Sequence, residues 1–390
     1  MKNYLLPFLF FCITIVAQNT ANKDTIAYKT NEEYDQFFPK PLRGKIKTMH
    51  TLGRQIAYKG DIPVVVYCLP YKGKDKIYSY TNHFDKRGNE VALYTYDALG
   101  NLMDWEIKTF NKADSLTYRK ISYVIDSIRH SAEIFNLYND KNLLIERKDI
   151  DRYGSKVSLY FYNEADNIIK EEDYYKDKLF HTTLYTYDAK GKLLEKEEQY
   201  EKYEKHLITT YEYDTLGNLI RITEKEKGGK PYIITNRIYK NNTLIKEYDD
   251  HSYLLYTYKE GKLIETESYY TGNGSDYIID SKIITKYNEK GQVIKKSQYS
   301  FDTLEEETTY SYDEKGKEIK GTSYKKEQEK SRWENKYSPK GYLIEKAWKK
   351  EKGNSKTLYY YDAIGNCIKI EEYYKGKLTN IYERTFTYYE

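Results

Sequence analysis

Six histidines are the first residues to weigh for chemistry in this chain of 390 residues: His50, His83, His130, His181, His206 and His251. A metal site or a nucleophile–base pair would place such residues at short, regular spacing or beside a serine or cysteine in a defined motif. They are scattered instead, and no Gly-x-Ser-x-Gly elbow, phosphate-cradling Gly-Lys-Ser/Thr loop or dinucleotide fingerprint accompanies them. Each reads as an ordinary strand or surface histidine. Carboxylates are abundant, but a glycosidase-like pair needs one acid in an apolar pocket that raises its pKa. A thin, wet sheet offers few of these. The expectation is a non-enzyme with no catalytic residue, no metal ligand and no cofactor, whose ligand-binding residues the sequence leaves unknown.

Three further groups were weighed. Gly272-Asn273-Gly274-Ser275-Asp276-Tyr277-Ile278 fits most of the calcium-binding nonapeptide of parallel β-helices, with Thr271 in place of its first Gly. That site needs stacked successive copies and there is one, so the segment reads as a loose loop between hairpins. Trp105, Trp333 and Trp348 could stack on sugars, but they ignore the repeat, and the last two read as packing residues. Cys68 and Cys367 are separated by most of the chain, whereas a bridge needs Cα atoms within about 7 Å, so no disulfide is expected. Cys367 fills the slot held elsewhere by Leu102, Leu193, Leu219 and Leu343, as a small buried hydrophobe would.

Tyrosine takes 48 of the 390 positions, so of the 39% counted as hydrophobic little more than a quarter of the chain is left for all other apolar types. A thick aliphatic core is not expected, yet a chain so rich in aromatics is not disordered. Tyrosine suits a sheet with partly covered faces, its ring packed and its hydroxyl wet. The chain opens with Met1-Lys2-Asn3, an apolar run from Tyr4 to Val16, and Ala17. This predicts a secretory signal peptide over residues 1–17, the run being shorter than the ~20 residues of a membrane span. Cys12 follows Phe11 and not a small residue, which argues against a lipoprotein. The formal charge of +4 is finely mixed, as in Glu195-Lys196-Glu197-Glu198 and Glu224-Lys225-Glu226-Lys227. That excludes the basic stripe of a nucleic-acid binder and predicts solvated strand faces with cross-strand ion pairs.

The elements that would position any site come from one recurring phrase, Tyr213-Asp214-Thr215-Leu216-Gly217. Its Asp suits the first place of a type I turn, where the carboxylate accepts a backbone N–H two residues on, and its Gly closes a hairpin through a G1 bulge. The same arrangement runs from Asp85 to Gly88, Asp97 to Gly100, Asp188 to Gly191, Asn288 to Gly291, Asp313 to Gly316, Ser338 to Gly341 and Asp362 to Gly365. Asn142 and Asp166 hold the Gly place in weaker copies, and Lys240-Asn241-Asn242-Thr243 and Lys259-Glu260-Gly261-Lys262 read as two-residue primed turns. From Tyr138 to Tyr388 the anchor tyrosine returns at a mean of about 25 residues, a repeat architecture in which neighbours bury what one unit cannot. A polar lead-in spans 18–44, and the array spans 45–390. The third residue after each turn Gly is apolar (Val91, Met103, Leu194, Ile220, Ile294, Ile319, Ile344, Ile368), which predicts a row that lines up across adjacent units as a continuous seam. The fold class that follows is all-β: antiparallel β-hairpin repeats forming one twisted or curled sheet or partial shell, with two free ends that could pair end to end.

Tyr96-Asp97-Ala98-Leu99-Gly100-Asn101-Leu102, Tyr213-Asp214-Thr215-Leu216-Gly217-Asn218-Leu219 and Tyr361-Asp362-Ala363-Ile364-Gly365-Asn366 resemble the YD (RHS) repeats of bacterial Rhs proteins, Tc toxin shells and teneurins. The resemblance runs from about residue 80 to the C-terminus. It implies hairpins that spiral into a hollow β shell enclosing a toxin segment or presenting an adhesive surface. The chain departs from the family in lacking an Asp-Pro pair and a variable toxin tip, and in having only about a dozen units. What the resemblance carries over is the fold and an extracytoplasmic setting. The reading of the chain as a whole is an exported protein, periplasmic, cell-surface or extracellular, acting as a non-catalytic binding or scaffold module toward a protein or a cell-envelope glycan. A carbohydrate-binding surface protein and a partial β-shell associated with a toxin system are the alternatives. Neither nucleic acid nor a membrane span is expected.

Overall fold

The computed structural model describes residues 42–59, 62–65, 79–97, 99–125, 128–201, 205–249, 251–271 and 279–390. Among the described residues every regular element is a strand. The turns follow from their residues. Gly191 N–H donates to the Asp188 carbonyl at 3.0 Å, and Asp188 Oδ1 accepts the backbone N–H groups of Lys190 at 2.8 Å and Lys192 at 2.9 Å. Gly191 sits at φ 80° and Gly217 at φ 90°, where any side chain would be strained. Asn142 and Asp166 hold the same conformation at φ 62° and 63°, and the primed turns have both central residues positive, Asn241 and Asn242 at 50° and 62°.

These carboxylates make the fold acid-sensitive in a defined direction. The Asn218 side-chain amide and backbone N–H hold the Asp214 carboxyl below its ordinary value, and the Lys192 N–H does the same for Asp188. A depressed folded-state pKa contributes stability that is complete above the unfolded value near 4 and is lost as pH falls through the folded one. Urea midpoints should therefore be flat from pH 7 to 5 and fall below about pH 4. An Asp188→Asn, Asp214→Asn double variant should show a shallower fall.

Between turns the strands form a meander in which each pairs antiparallel with the next. β1 (Ile46–Lys59), β2 (Ile62–Val65) and β3 (Ser79–Phe84) open it, and the strand Lys377–Tyr388 ends it. That last strand pairs with β1, which pairs with β3 on its other edge: Thr51 stands opposite both Arg384 and Tyr80. Of the 27 strands among the described residues, β2 pairs only with the far half of β1, and the other 26 form a closed ring. The curl expected from strand twist goes to completion. The sheet does not end in two free edges, because β1 offers both of its own edges over residues 48–52. At about 4.8 Å per strand the perimeter is roughly 125 Å. Every described hydrogen bond, ion pair and ring contact between strands joins neighbours or next-but-one neighbours, so no contact among the described residues spans the interior.

The turn at Asp97 to Gly100 departs from the expected order. β3 ends at the rim that carries the other Tyr-Asp turns, so the turn that closes the following hairpin, Glu90–Tyr96 with Leu102–Phe110, falls on the opposite rim. The apolar row is not where burial is concentrated. Leu194, Ile294, Ile319 and Ile344 are each more than a third exposed. Burial is concentrated where the ring closes, around Leu42, Ile46, Met49, Tyr80, Phe84, Leu93, Cys367, Ile370 and Tyr382. Arg384 is buried there and donates to Thr51 Oγ1 and the Tyr80 hydroxyl at 3.2 Å, joining three strands.

The anchor tyrosines are not wet at the hydroxyl. Tyr187 donates to the Ile168 carbonyl at 2.7 Å, Tyr213 to Leu193 at 2.9 Å, Tyr312 to Val293 at 2.7 Å and Tyr361 to Leu343 at 2.8 Å. Each ties the end of one strand to the start of the strand before it, beside the preceding turn. This explains why Tyr and not Phe stands before the turn Asp at 188, 214, 313 and 362. Tyr187→Phe should cost about 0.5–1.5 kcal/mol by urea denaturation. Tyr360→Phe, whose hydroxyl meets the exposed-face carboxylate of Glu371, should cost less.

Candidate binding site

Following the register around the ring separates two faces. One carries Met49, Asn82, Leu93, Glu106, Ser158, Asp173, Thr183 and Thr209, all buried. Burial on this face, followed by nearby carboxylates, pushes the phenols of Tyr185, Tyr256 and Tyr359 up to about 12. The other face is the more open one and carries Glu195, Glu212, Arg221 and Lys246, with Ser122, Asn236 and Ser297 buried on it. Charges recur on both, since the enclosed face also holds Lys156, Glu171, Glu198 and Glu247. Neither face provides the apolar band that a lipid-facing barrel wall requires. No described helix is long and apolar enough to cross a membrane.

The histidines separate into distinct settings. Burial lowers the imidazole pKa of His50 and His83. On the enclosed face His181 stacks on Tyr200 with ring centroids 4.3 Å apart. Its Nδ1 lies 3.2 Å from Asp173, and its Nε2 lies 3.7 Å from Glu198. Ser158 is close, but its hydroxyl donates to Asp173 Oδ1 at 2.5 Å. The hydroxyl thus faces the carboxylate and not an imidazole nitrogen that could take its proton. Among the described residues no three His, Cys, Asp or Glu are grouped to hold a metal ion. The segment Gly272 to Ile278, Cys68 and residues 1–41 lie outside the described residues. Cys367 is a buried free thiol whose pKa burial raises to about 11. Its distance from the N-terminal strands in sequence is no guide to distance in space, because ring closure places its strand two from β1.

Trp333 and Trp348 stand directly opposite each other on the enclosed face, stacked at 4.7 Å between centroids. Tyr310 meets Trp333 edge-on at 5.7 Å, and the Trp333 indole N–H donates to Glu318 at 2.6 Å. The ring has room because its partner across the strand pair is Gly321. These tryptophans are packing residues, as their irregular spacing suggested.

The same strands shape a hollow on the open face, a cleft of about 420 Å³. Its floor is the small side chain of Ala347 and the flanking backbone. Register places Glu334 and Lys356 on either side of Ala347, Tyr373 beyond Lys356, and Arg332, Lys349 and Asn354 in the adjoining row. Sequence reading missed this group, since nothing in Leu343 to Lys350 marks Ala347 as a gap until the neighbouring strands are aligned beside it. The one available signal is that Ala347 takes the place of a larger residue among charged neighbours.

No family model matches the chain, and no curated protein matches it. Solved structures overlap it at low scores. A Photorhabdus luminescens Tc holotoxin pore is 11% identical over 80% of this chain at a TM-score of 0.32. A TcdB2–TccC3 complex is 10% identical over 85% at 0.22. A porin-like protein from Bacteroides uniformis is 13% identical over 88% of this chain and 96% of its own at 0.16. The chain spans 22% of the length of the Tc holotoxin chain and 27% of that in the TcdB2–TccC3 complex.

Proposed function

We propose that this chain is an exported, non-catalytic binding module that presents a closed β-ring to a partner of the cell envelope. The observation that carries this reading is the closure itself. β1 satisfies both edges that an open array would leave, so its surfaces available for recognition are two polar faces and two rims. The signal peptide expected over residues 1–17 supports export, and the partnering of Ser158 with Asp173 supports a non-catalytic role. The test is capture of envelope components on the immobilised chain beside a glycan array. A saturable protein partner, lost when the ring is opened at Met49, is the expected result. Turnover in polysaccharide and ester hydrolase screens would overturn the non-catalytic part.

A second reading is an enclosing shell, supported by the absence of any contact across the interior among the described residues. It predicts that a partner segment inside the ring resists protease in the complex and is cut once the ring is opened.

A further inference from the structure

We infer that the hollow over Ala347 is a binding site for an acidic oligosaccharide. This deepens the binding-module reading and rests on it, naming a ligand class and a place. Three cations, Arg332, Lys349 and Lys356, and one carboxylate, Glu334, surround the hollow. Some strand lysines in this chain meet a carboxylate, as Lys295 meets Glu307 at 2.7 Å and Lys336 meets Glu345 at 2.7 Å. No carboxylate lies within ion-pair distance of Lys349 or Lys356 among the described residues, and Arg332 has only a loose contact with Glu329 at 3.9 Å. The site therefore holds an excess of positive charge that cross-strand pairing has not neutralised.

The rest of the lining gives the charge its context. Asn354 adds an amide that can both donate and accept, which suits vicinal hydroxyls. Tyr373 adds an aromatic wall, with its hydroxyl donating to Glu371 at 2.9 Å and Lys356 Nζ 5.4 Å from its ring centre. A cleft of about 420 Å³ lies in the range of small-ligand sites. A sugar ring lying on the Ala347 floor, with its carboxylate or sulfate toward Lys349 and Lys356, uses all of these features. A bare phosphate uses the charge alone.

The test is calorimetric titration of the purified chain with trigalacturonate, a sulfated heparin disaccharide, neutral cellotriose, triglutamate and inorganic phosphate, in low salt and in 0.5 M NaCl. At least one acidic saccharide should bind, with cellotriose and triglutamate at least about tenfold weaker, and binding should fall with salt. Which acidic saccharide binds separates a uronate from a sulfate ligand. The double variant Lys349→Glu, Lys356→Glu should lose at least about tenfold in affinity with an unchanged far-ultraviolet spectrum, since both side chains are exposed. Ala347→Phe, which fills the hollow without changing charge, should do the same. Equal binding of cellotriose, equal or tighter binding of triglutamate or phosphate, unchanged affinity in both variants, or no acidic saccharide bound would each overturn the assignment. The last outcome leaves the binding-module reading standing, because that is decided by envelope capture.

Discussion

Met49→Asp is expected to open the ring. Met49 has no exposed surface and lies in the closing strand, opposite Asn82 on one side and Phe386 on the other. A carboxylate there has no partner and costs several kcal/mol to bury, against a total stability of about 5–15 kcal/mol for a typical domain. The consequence is larger than a local defect, because β1 alone joins the last strand to β3. Once it leaves, two long strand edges are bare, and bare edges recruit other chains. Light scattering after size exclusion should show a compact monomer for the parent chain and large or expanded species for the variant. Met49→Ala should stay closed but lose about 2–5 kcal/mol by urea denaturation. A compact Met49→Asp monomer with an unchanged midpoint would sink the view that β1 closes the ring.

Gly321→Ala should unseat the tryptophan pair. A methyl group at 321 would overlap the Trp333 indole, which packs over the glycine backbone. The backbone at 321 is extended and accepts alanine, so the effect is steric and not conformational. Trp333 would have to move out of its stack with Trp348 and give up its hydrogen bond to Glu318. The expected cost is about 1–3 kcal/mol, with loss of the near-ultraviolet circular dichroism of the stacked indoles. Trp105 stands far around the ring and serves as an unperturbed reference: Trp105→Phe should leave the signal in place. Persistence of the stacked signal in Gly321→Ala would show that Trp333 is not seated on residue 321.

Much of the fold could be read from residues that act locally. The type I turn with a G1 bulge needs an Asp or Asn side chain and a residue that tolerates positive φ, and these requirements lie within five consecutive positions. The turns at Asp188 and Asp214 and the weaker copies at Asn142 and Asp166 were therefore visible in advance. Cys367 was legible for a similar reason, since its repeat slot is held elsewhere by leucine. The exposure of the apolar row was not legible, because a period of about 25 residues fixes where Leu194, Ile294 and Ile344 fall along a hairpin but not whether anything covers them. The tyrosine hydroxyls were misread because their acceptors lie some twenty residues away on the preceding strand. The hollow at Ala347 was not visible for the same reason, as its walls come from four strands.

From the sequence alone came the strands, their turns, the hairpin order and the mixed charge of both faces, because each depends on neighbours within a few residues or on composition. Tertiary structure alone decided that the array closes. Closure depends on accumulated twist bringing the last strand back to β1 and on the burial of Ile46, Met49, Tyr80 and Tyr382 at that junction. Those residues are separated by more than three hundred positions, and no local preference in the chain fixes where the curl ends.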